Sequence, residues 1–298
     1  MKENIKKRKT ALKKFGLLLT TTFVLGLQFP AHSQTVLETI KETGVLKVAI
    51  REDAAPFGYV NSADNLQGFC LDFFALLETK LEEQLPRNSL ATRLLKSTVS
   101  NRFNLIEEGL SDIECGPNTI RELSSTEVTF SRPFFDTRTQ FLVATEQVDV
   151  ANLDGDLANI KIGVIRNTTT EELIRERYPD ASIVLFSGVT ARTRGVQAVA
   201  QGKIAAMASD GILLRAEAAQ QDLPVADFAL IPTASIDCEN LVFARSDRYG
   251  MIIPKDAQWQ DFVNSVIVSP EFQRLFAQWF RSIQSFPTEE EIDNGFCS

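Results

Sequence analysis

Apolar positions along this chain recur with two different spacings, and the two spacings alternate. From Val45, short runs rich in β-branched residues separate longer stretches whose apolar residues fall at helical intervals. "VLKVAI" (45–50) reads as a strand, "LDFFALLETKLEEQL" (71–85) as a helix and "LATRLLKS" (90–97) as a strand. "NRFNLIEEGL" (101–110) and "SDIECGP" (111–117) add a helix and a strand. The same five-element order returns from Ile160: "IKIGVI", "TTEELIRERY", "SIVLFS", "TARTRGVQAVAQG" and "KIAAMAS". Strands alternating with helices predict βαβ units and an α/β fold built on parallel sheet. The order occurring twice predicts two similar lobes, although no residue-level repeat accompanies it.

Two further extended runs, Gln140–Ala144 and "FALIPT" (228–233), flank the second series. If both cross between lobes, lobe one holds residues 34–141, lobe two 142–232, and lobe one resumes over 233–298. The stretch "AQWQDFVNSVIVSPEFQRLFAQWFRSI" then supplies closing helices, with Trp259, Phe262, Phe272, Phe276, Trp279 and Phe280 as packing residues.

The N-terminus has a different pattern. Seven lysines and arginines precede the apolar run "FGLLLTTTFVLGLQF", and "AHS" stands before Gln34. A basic head, a short apolar stretch and a small-x-small site predict a secretory signal peptide over residues 1–33, cleaved near Ser33/Gln34. The mature chain is then exported. Its charge changes as well. The leader holds seven of the 31 Lys+Arg and one of the 39 Asp+Glu, leaving 24 against 38. That acidity argues against nucleic acid and anionic membrane as partners. The single histidine, His32, leaves with the leader. A mature chain without histidine has no Ser-His-Asp or Cys-His machinery and no histidine for a metal; no metal and no cofactor is expected. Four cysteines remain, Cys70, Cys115, Cys238 and Cys297, and in an exported protein their default is bridges or buried thiols. Three connectivities are open.

In open α/β sheets ligands lie at the carboxyl ends of parallel strands and against helix N-termini. The residues standing just past the strands of the first series are Arg51, then Arg102 in the first turn of a helix, then Asn118, Thr119 and Arg121. The second series adds Arg166, the capping threonines Thr168 or Thr169, Arg192, Arg194, and Asp210 before Gly211. Singly, each has an ordinary structural role. Arg51 beside Glu52 and Asp53 would pair with one of them, and Asp210 would cap a helix. Together they bring several guanidinium groups, hydroxyl-rich helix starts and one acid to one crevice. Guanidinium forks suit carboxylates and a lone acid suits an ammonium group, which describes an α-amino acid.

The stretches "GVLKVAIREDAAPFGY", "LQGFCLDFFALLE", "NRFNLIEEGLSDIECGPNT", "FSRPFF", "GVIRNTTTEEL", "ASDGILL" and "WFRSI" together resemble the periplasmic polar amino-acid-binding proteins, extracellular solute-binding family 3. The resemblance runs over about residues 40–283, and "RED..PF", "NR" and "ECG" look most like the glutamate/aspartate-binding branch. It implies the two-lobed type II periplasmic-binding-protein fold, with each lobe a mostly parallel sheet flanked by helices and two hinge crossings between them. It further implies a monomer that closes on a polar, acidic amino acid and delivers it to the membrane permease of an ABC importer. By resemblance Arg51 and Arg102 grip the ligand's side-chain carboxylate, and Thr119 and Thr168 contact its α-carboxylate. Asp210 receives the ammonium, and Arg192 lies near the side chain. The sequence departs from the family pattern at Cys70, Pro117 and Ser124, and Arg121 stands three positions before the family's arginine. With all four cysteines in lobe one, the preferred pairs are Cys238–Cys297, tying down the tail, and Cys70–Cys115. Two other classes compete. A dehydratase-like enzyme on this scaffold would draw its acid from Glu52, Asp53 or Glu114, and a sensory protein would need a separate membrane partner.

Overall fold

Both series of elements form in the computed structural model, which describes residues 34–85, 89–147, 155–231 and 247–281. An unforeseen helix comes first: α1 (Val36–Thr43) opens on a capping box between Thr35 and Glu38 and ends on Gly44 at φ 72°. Then come β1 (Val45–Arg51), β2 (Asp53–Ala54), β3 (Gly58–Val60), β4 (Leu66–Gln67) and α2 (Phe69–Gln84). The first series closes with β5 (Ala91–Ser97), α3 (Arg102–Glu107) and β6 (Ile113–Cys115). Three strands lead onward, β7 (Val128–Phe130), β8 (Phe135–Thr137) and β9 (Thr139–Ala144). The second series is β10 (Lys161–Ile165), α4 (Thr169–Arg177), β11 (Ser182–Phe186), α5 (Ala191–Ala200) and β12 (Ala206–Asp210). It is followed by α6 (Gly211–Gln220) and β13 (Phe228–Ile231). The chain returns through β14 (Asp247–Tyr249) and β15 (Ile252–Pro254) to α7 (Ala257–Ile267) and α8 (Pro270–Phe280). The leader, Cys238 and Cys297 lie outside the described residues.

The two five-stranded sheets share one plan. The first runs β5-β1-β6-β15-β7 and the second β11-β10-β12-β9-β13. In each, the three strands of the βαβ series pair in parallel, and two more strands extend the sheet antiparallel. Parallel neighbours need a crossover helix, which each series supplies. The added strands arrive without one, so each sheet is mixed. The connection between sheets is itself ordered: β8 and β14 pair antiparallel, with Tyr249 opposite Phe135. The chain leaves the first sheet through β8 and re-enters it through β14, so the two crossings lie side by side. The second sheet takes its first residue at Thr139.

Between the first sheet and α2, α7 and α8 lies an aromatic core. Phe57, in the turn between β2 and β3, is fully buried and sits edge-on to Phe135 at 5.1 Å and to Tyr249 at 5.4 Å. Pro56 and Phe57 therefore end β2 and fix its turn on the core, next to the strand that carries Asp53. Gly68, at φ 138°, has Phe57's carbonyl oxygen pressed against the place where a Cβ would stand, so only glycine lets α2 start there.

Cys70 in the first turn of α2 and Cys115 at the end of β6 form a disulfide, with a sequence separation of 45. It pins the helix to the strand whose end carries Asn118. Closing a loop of that length stabilises by about 2–4 kcal/mol. The double variant Cys70→Ala, Cys115→Ala should lose that much in chemical unfolding; an unchanged midpoint would show the bridge to be dispensable.

Candidate ligand-binding cleft

The candidate residues sit at equivalent places in the two sheets. Arg51 ends β1, Arg102 opens α3 after β5, and Asn118 and Thr119 come after β6. Thr168 and Thr169 begin α4 after β10, Arg192 lies in the first turn of α5 after β11, and Asp210 ends β12. The shared topology thus turns six strand ends toward one cleft, with lobe one supplying Arg51 and Arg102 and lobe two Arg192 and Asp210.

Arg51 is 1 % exposed, yet it is not an open fork. Its Nε and Nη2 donate to Asp53 Oδ1 and Oδ2 at 2.7 and 2.8 Å, a bidentate pair two residues apart. Burial opposes the charge of Arg51, but Asp53, with Glu114 behind it, outweighs burial and holds the pKa above its ordinary value. Burial works on Asp53 in the same way, and the charge and hydrogen bonds of Arg51, helped by Arg192, hold its carboxyl below the usual range. The local ion pair weighed for Arg51 from its neighbours is the one formed, with Asp53; Glu52 pairs with Lys96 instead, at 2.6 Å.

Arg102 has the opposite character. Its Nη1 donates to Asn118 Oδ1 at 2.9 Å and to the Pro117 carbonyl at 3.4 Å. Among the described residues no carboxylate bonds it, and its Nε is buried without a partner. Burial and the like charge of Arg51 depress its pKa to about 10. Asn118 relays the position of Arg102 inward. Its amide donates to Glu114 at 2.6 Å, and Glu114 also accepts from Ser97 at 2.7 Å. Arg192 donates Nη1 across the lobes to the Asp53 carbonyl at 2.5 Å, while its Nε is likewise buried and unpartnered. Burial lowers its pKa against the attraction of Asp53.

Asp210 stands at the N-cap of α6 but makes no cap hydrogen bond. One carboxylate oxygen accepts from the Tyr249 hydroxyl; the other, Oδ1, is buried without a partner. Burial raises the Asp210 pKa, with Tyr249, Arg192 and Arg102 pulling the other way. Burial and the Asp210 charge push the Tyr249 phenol well above its normal value. Two guanidinium Nε donors and one carboxylate oxygen, each without a partner among the described residues, therefore lie within electrostatic reach of one another.

The remaining candidates divide. Thr119 Oγ1 and Thr169 Oγ1 approach to 3.2 Å across the lobes. Thr168 instead caps α4: its hydroxyl accepts from Glu171 N and donates to the Ile165 carbonyl. Arg121 is at the rim, 3.3 Å from Glu172 of the other lobe. Arg166 is exposed, and Arg194 turns to the Ser187 carbonyl, so neither joins the cluster. Sequence reasoning missed Tyr249, which follows no strand of the βαβ series and reaches Asp210 only through the β8–β14 ribbon. It also passed over the inward role of Asn118 on Glu114. The spacing of four between those two residues on either side of Gly116 was the one available signal.

Residues 46–282 match the bacterial extracellular solute-binding proteins, family 3. The chain belongs to that family. Among curated family members, the glutamate/aspartate import solute-binding protein of Escherichia coli K12 is 24 % identical over 262 residues, 85 % of this chain and 82 % of the relative. The L-glutamate/L-aspartate-binding protein of Pseudomonas aeruginosa is 25 % identical over 271 residues, 86 % of this chain and 85 % of that one. The crystal structure of a reconstructed ancestral amino acid-binding protein, a precursor of cyclohexadienyl dehydratase, superposes with a TM-score of 0.66 at 21 % identity. That alignment covers 83 % of this chain and 99 % of the ancestral one. This is the two-lobed type II fold of periplasmic binding proteins, with the cluster of Arg51, Arg102, Arg192 and Asp210 where the lobes meet.

Proposed function

We propose that this family member captures a polar α-amino acid between its lobes and hands it to the membrane permease of an ABC importer. Glutamate or aspartate is the first candidate. The observation that carries this reading is that three of the six buried side-chain atoms without a hydrogen-bond partner among the described residues belong to this one cluster: Nε of Arg102, Nε of Arg192 and Oδ1 of Asp210. Unpaired buried polar groups are costly, and a ligand that satisfies them recovers that cost. An α-ammonium group answers Asp210; carboxylates answer the two arginines. The named relatives support an acidic side chain, and Arg102, held by Asn118, is the guanidinium best placed to take it.

Four contacts join the lobes around this cluster, Thr119 with Thr169, Arg121 with Glu172, Arg192 with the Asp53 carbonyl and Tyr249 with Asp210, and a captured ligand adds its own. In this reading Thr119 and Thr169 border the α-carboxylate, and Thr168 acts through the cap that positions α4. The leader is cleaved near Ser33/Gln34, and the mature chain works as a periplasmic monomer. The two crossings run through the paired strands β8 and β14. Catalysis is not part of the reading, because each acid considered for it is engaged: Glu52 with Lys96, Asp53 with Arg51, Glu114 with Ser97 and Asn118.

Thermal unfolding of the mature protein with a panel of amino acids and dicarboxylates tests the proposal. At about 100 times its dissociation constant a ligand adds roughly 2.7 kcal/mol. For a chain near this size that is a rise of several degrees. If no amino acid raises the midpoint, the proposal fails; turnover of a bound compound would replace it with an enzyme.

A further inference from the structure

We infer that Asp53 is the residue that sets which side-chain charge the cleft accepts, because it is an in-chain carboxylate occupying the fork of Arg51. The inference rests on the amino-acid reading above and deepens it. Asp53 is held on a fixed backbone: it lies in β2, opposite Tyr59 of β3, and its carbonyl is gripped from the other lobe by Arg192. Its carboxylate fills Nε and Nη2 of Arg51 at 2.7 and 2.8 Å. A ligand carboxylate can take that fork only by displacing it. Resemblance to the family assigns this very guanidinium to the ligand, so Asp53 stands in the place of the ligand's own acid.

The balance of buried charge points the same way. Three buried guanidinium groups, Arg51, Arg102 and Arg192, face four carboxylates, Asp53, Glu114, Asp210 and, acting on Arg192 from α6, Glu217, so the fixed charges leave no positive excess. A zwitterion with an uncharged side chain leaves the balance intact. An acidic side chain brings one more negative charge into a buried site, which is unfavourable unless a cation answers it. Neutralising Asp53 would both free the fork of Arg51 and remove one negative charge from the site. The preference for a dicarboxylic amino acid over its neutral amide, which Arg102 supports without Arg51 in wild type, should then grow.

Calorimetric titration of glutamate and glutamine against wild type, Asp53→Asn and the double variant Arg51→Gln, Asp53→Asn tests this. The two ligands differ by one charge and almost nothing in shape, so their affinity ratio isolates it. In Asp53→Asn the ratio should move toward glutamate by roughly tenfold or more. In the double variant, where the net charge is again that of wild type, it should return to within about threefold of wild type. Asp53→Ser, which leaves room beside Arg51, carries the comparison if the asparagine variant does not fold. A ratio unchanged in Asp53→Asn, with binding still measurable, overturns the role of Asp53 and leaves the amino-acid reading standing. Absence of binding by both ligands to wild type overturns both.

Discussion

Asp210→Ala should weaken every α-amino acid the protein binds, whatever its side chain, by a factor of about thirty to several thousand. That range corresponds to about 2–5 kcal/mol for leaving a buried ammonium without its counter-charge. The loss is common to all ligands because the ammonium is common to all of them. The same carboxylate gives a pH signature. Burial raises its pKa in the free protein, and a bound ammonium pulls it down again, so the ligand prefers the deprotonated form. Affinity for glutamine, which has no side-chain acid, should be flat near neutrality. It should fall as the pH drops through the raised pKa, beginning above the ordinary carboxylate value of about 3.9. Tyr249 does not titrate in that interval, since its own pKa is pushed well up. In Asp210→Asn the acid limb should vanish; its persistence would place the titrating group elsewhere.

Arg102→Met should separate binding from folding. Arg102 is a buried cation beside Arg51, with hydrogen bonds to Asn118 and Pro117 but, among the described residues, to no carboxylate. Removing it relieves a like-charge contact and costs two hydrogen bonds, terms of opposite sign and about 1 kcal/mol each. Stability without ligand should therefore change little, while affinity for an acidic amino acid falls by about 2–5 kcal/mol. Arg51→Ala should behave differently. It strands Asp53, and breaking a buried ion pair from one side costs about 3–5 kcal/mol of folding free energy. A free-protein midpoint that falls for Arg51→Ala and holds for Arg102→Met is the expected result. Equal losses would mean that Arg102 is a structural cation as well.

The fold was legible in the hydrophobic pattern because its βαβ units are local: each strand and helix announces itself within about fifteen residues. β7, β8, β14 and β15 did not announce themselves. Each is three residues long, and what makes it a strand is a partner far away in sequence, as with Tyr249 opposite Phe135. The same distinction governs the site. Strand ends could be read directly, which brought Arg51, Arg102, Arg192 and Asp210 together. Which atoms remain free could not, because that depends on pairings across the cleft. Nothing local tells Thr168 from Thr169, yet one caps α4 and the other meets Thr119. Arg51 and Arg102 likewise look alike in sequence. Two residues of spacing to Asp53 close the first fork, and a neutral asparagine leaves the second open.

The central claim is that an α-amino acid is held by its ammonium on Asp210 and by its carboxylates on the arginines. Calorimetric titration of the mature protein with glutamate and with glutarate, which lacks only the amino group, tests it most directly. Glutamate should bind, and glutarate should bind more weakly by roughly thirtyfold or more. Equal affinity for the two, or no heat with any α-amino acid, would contradict it.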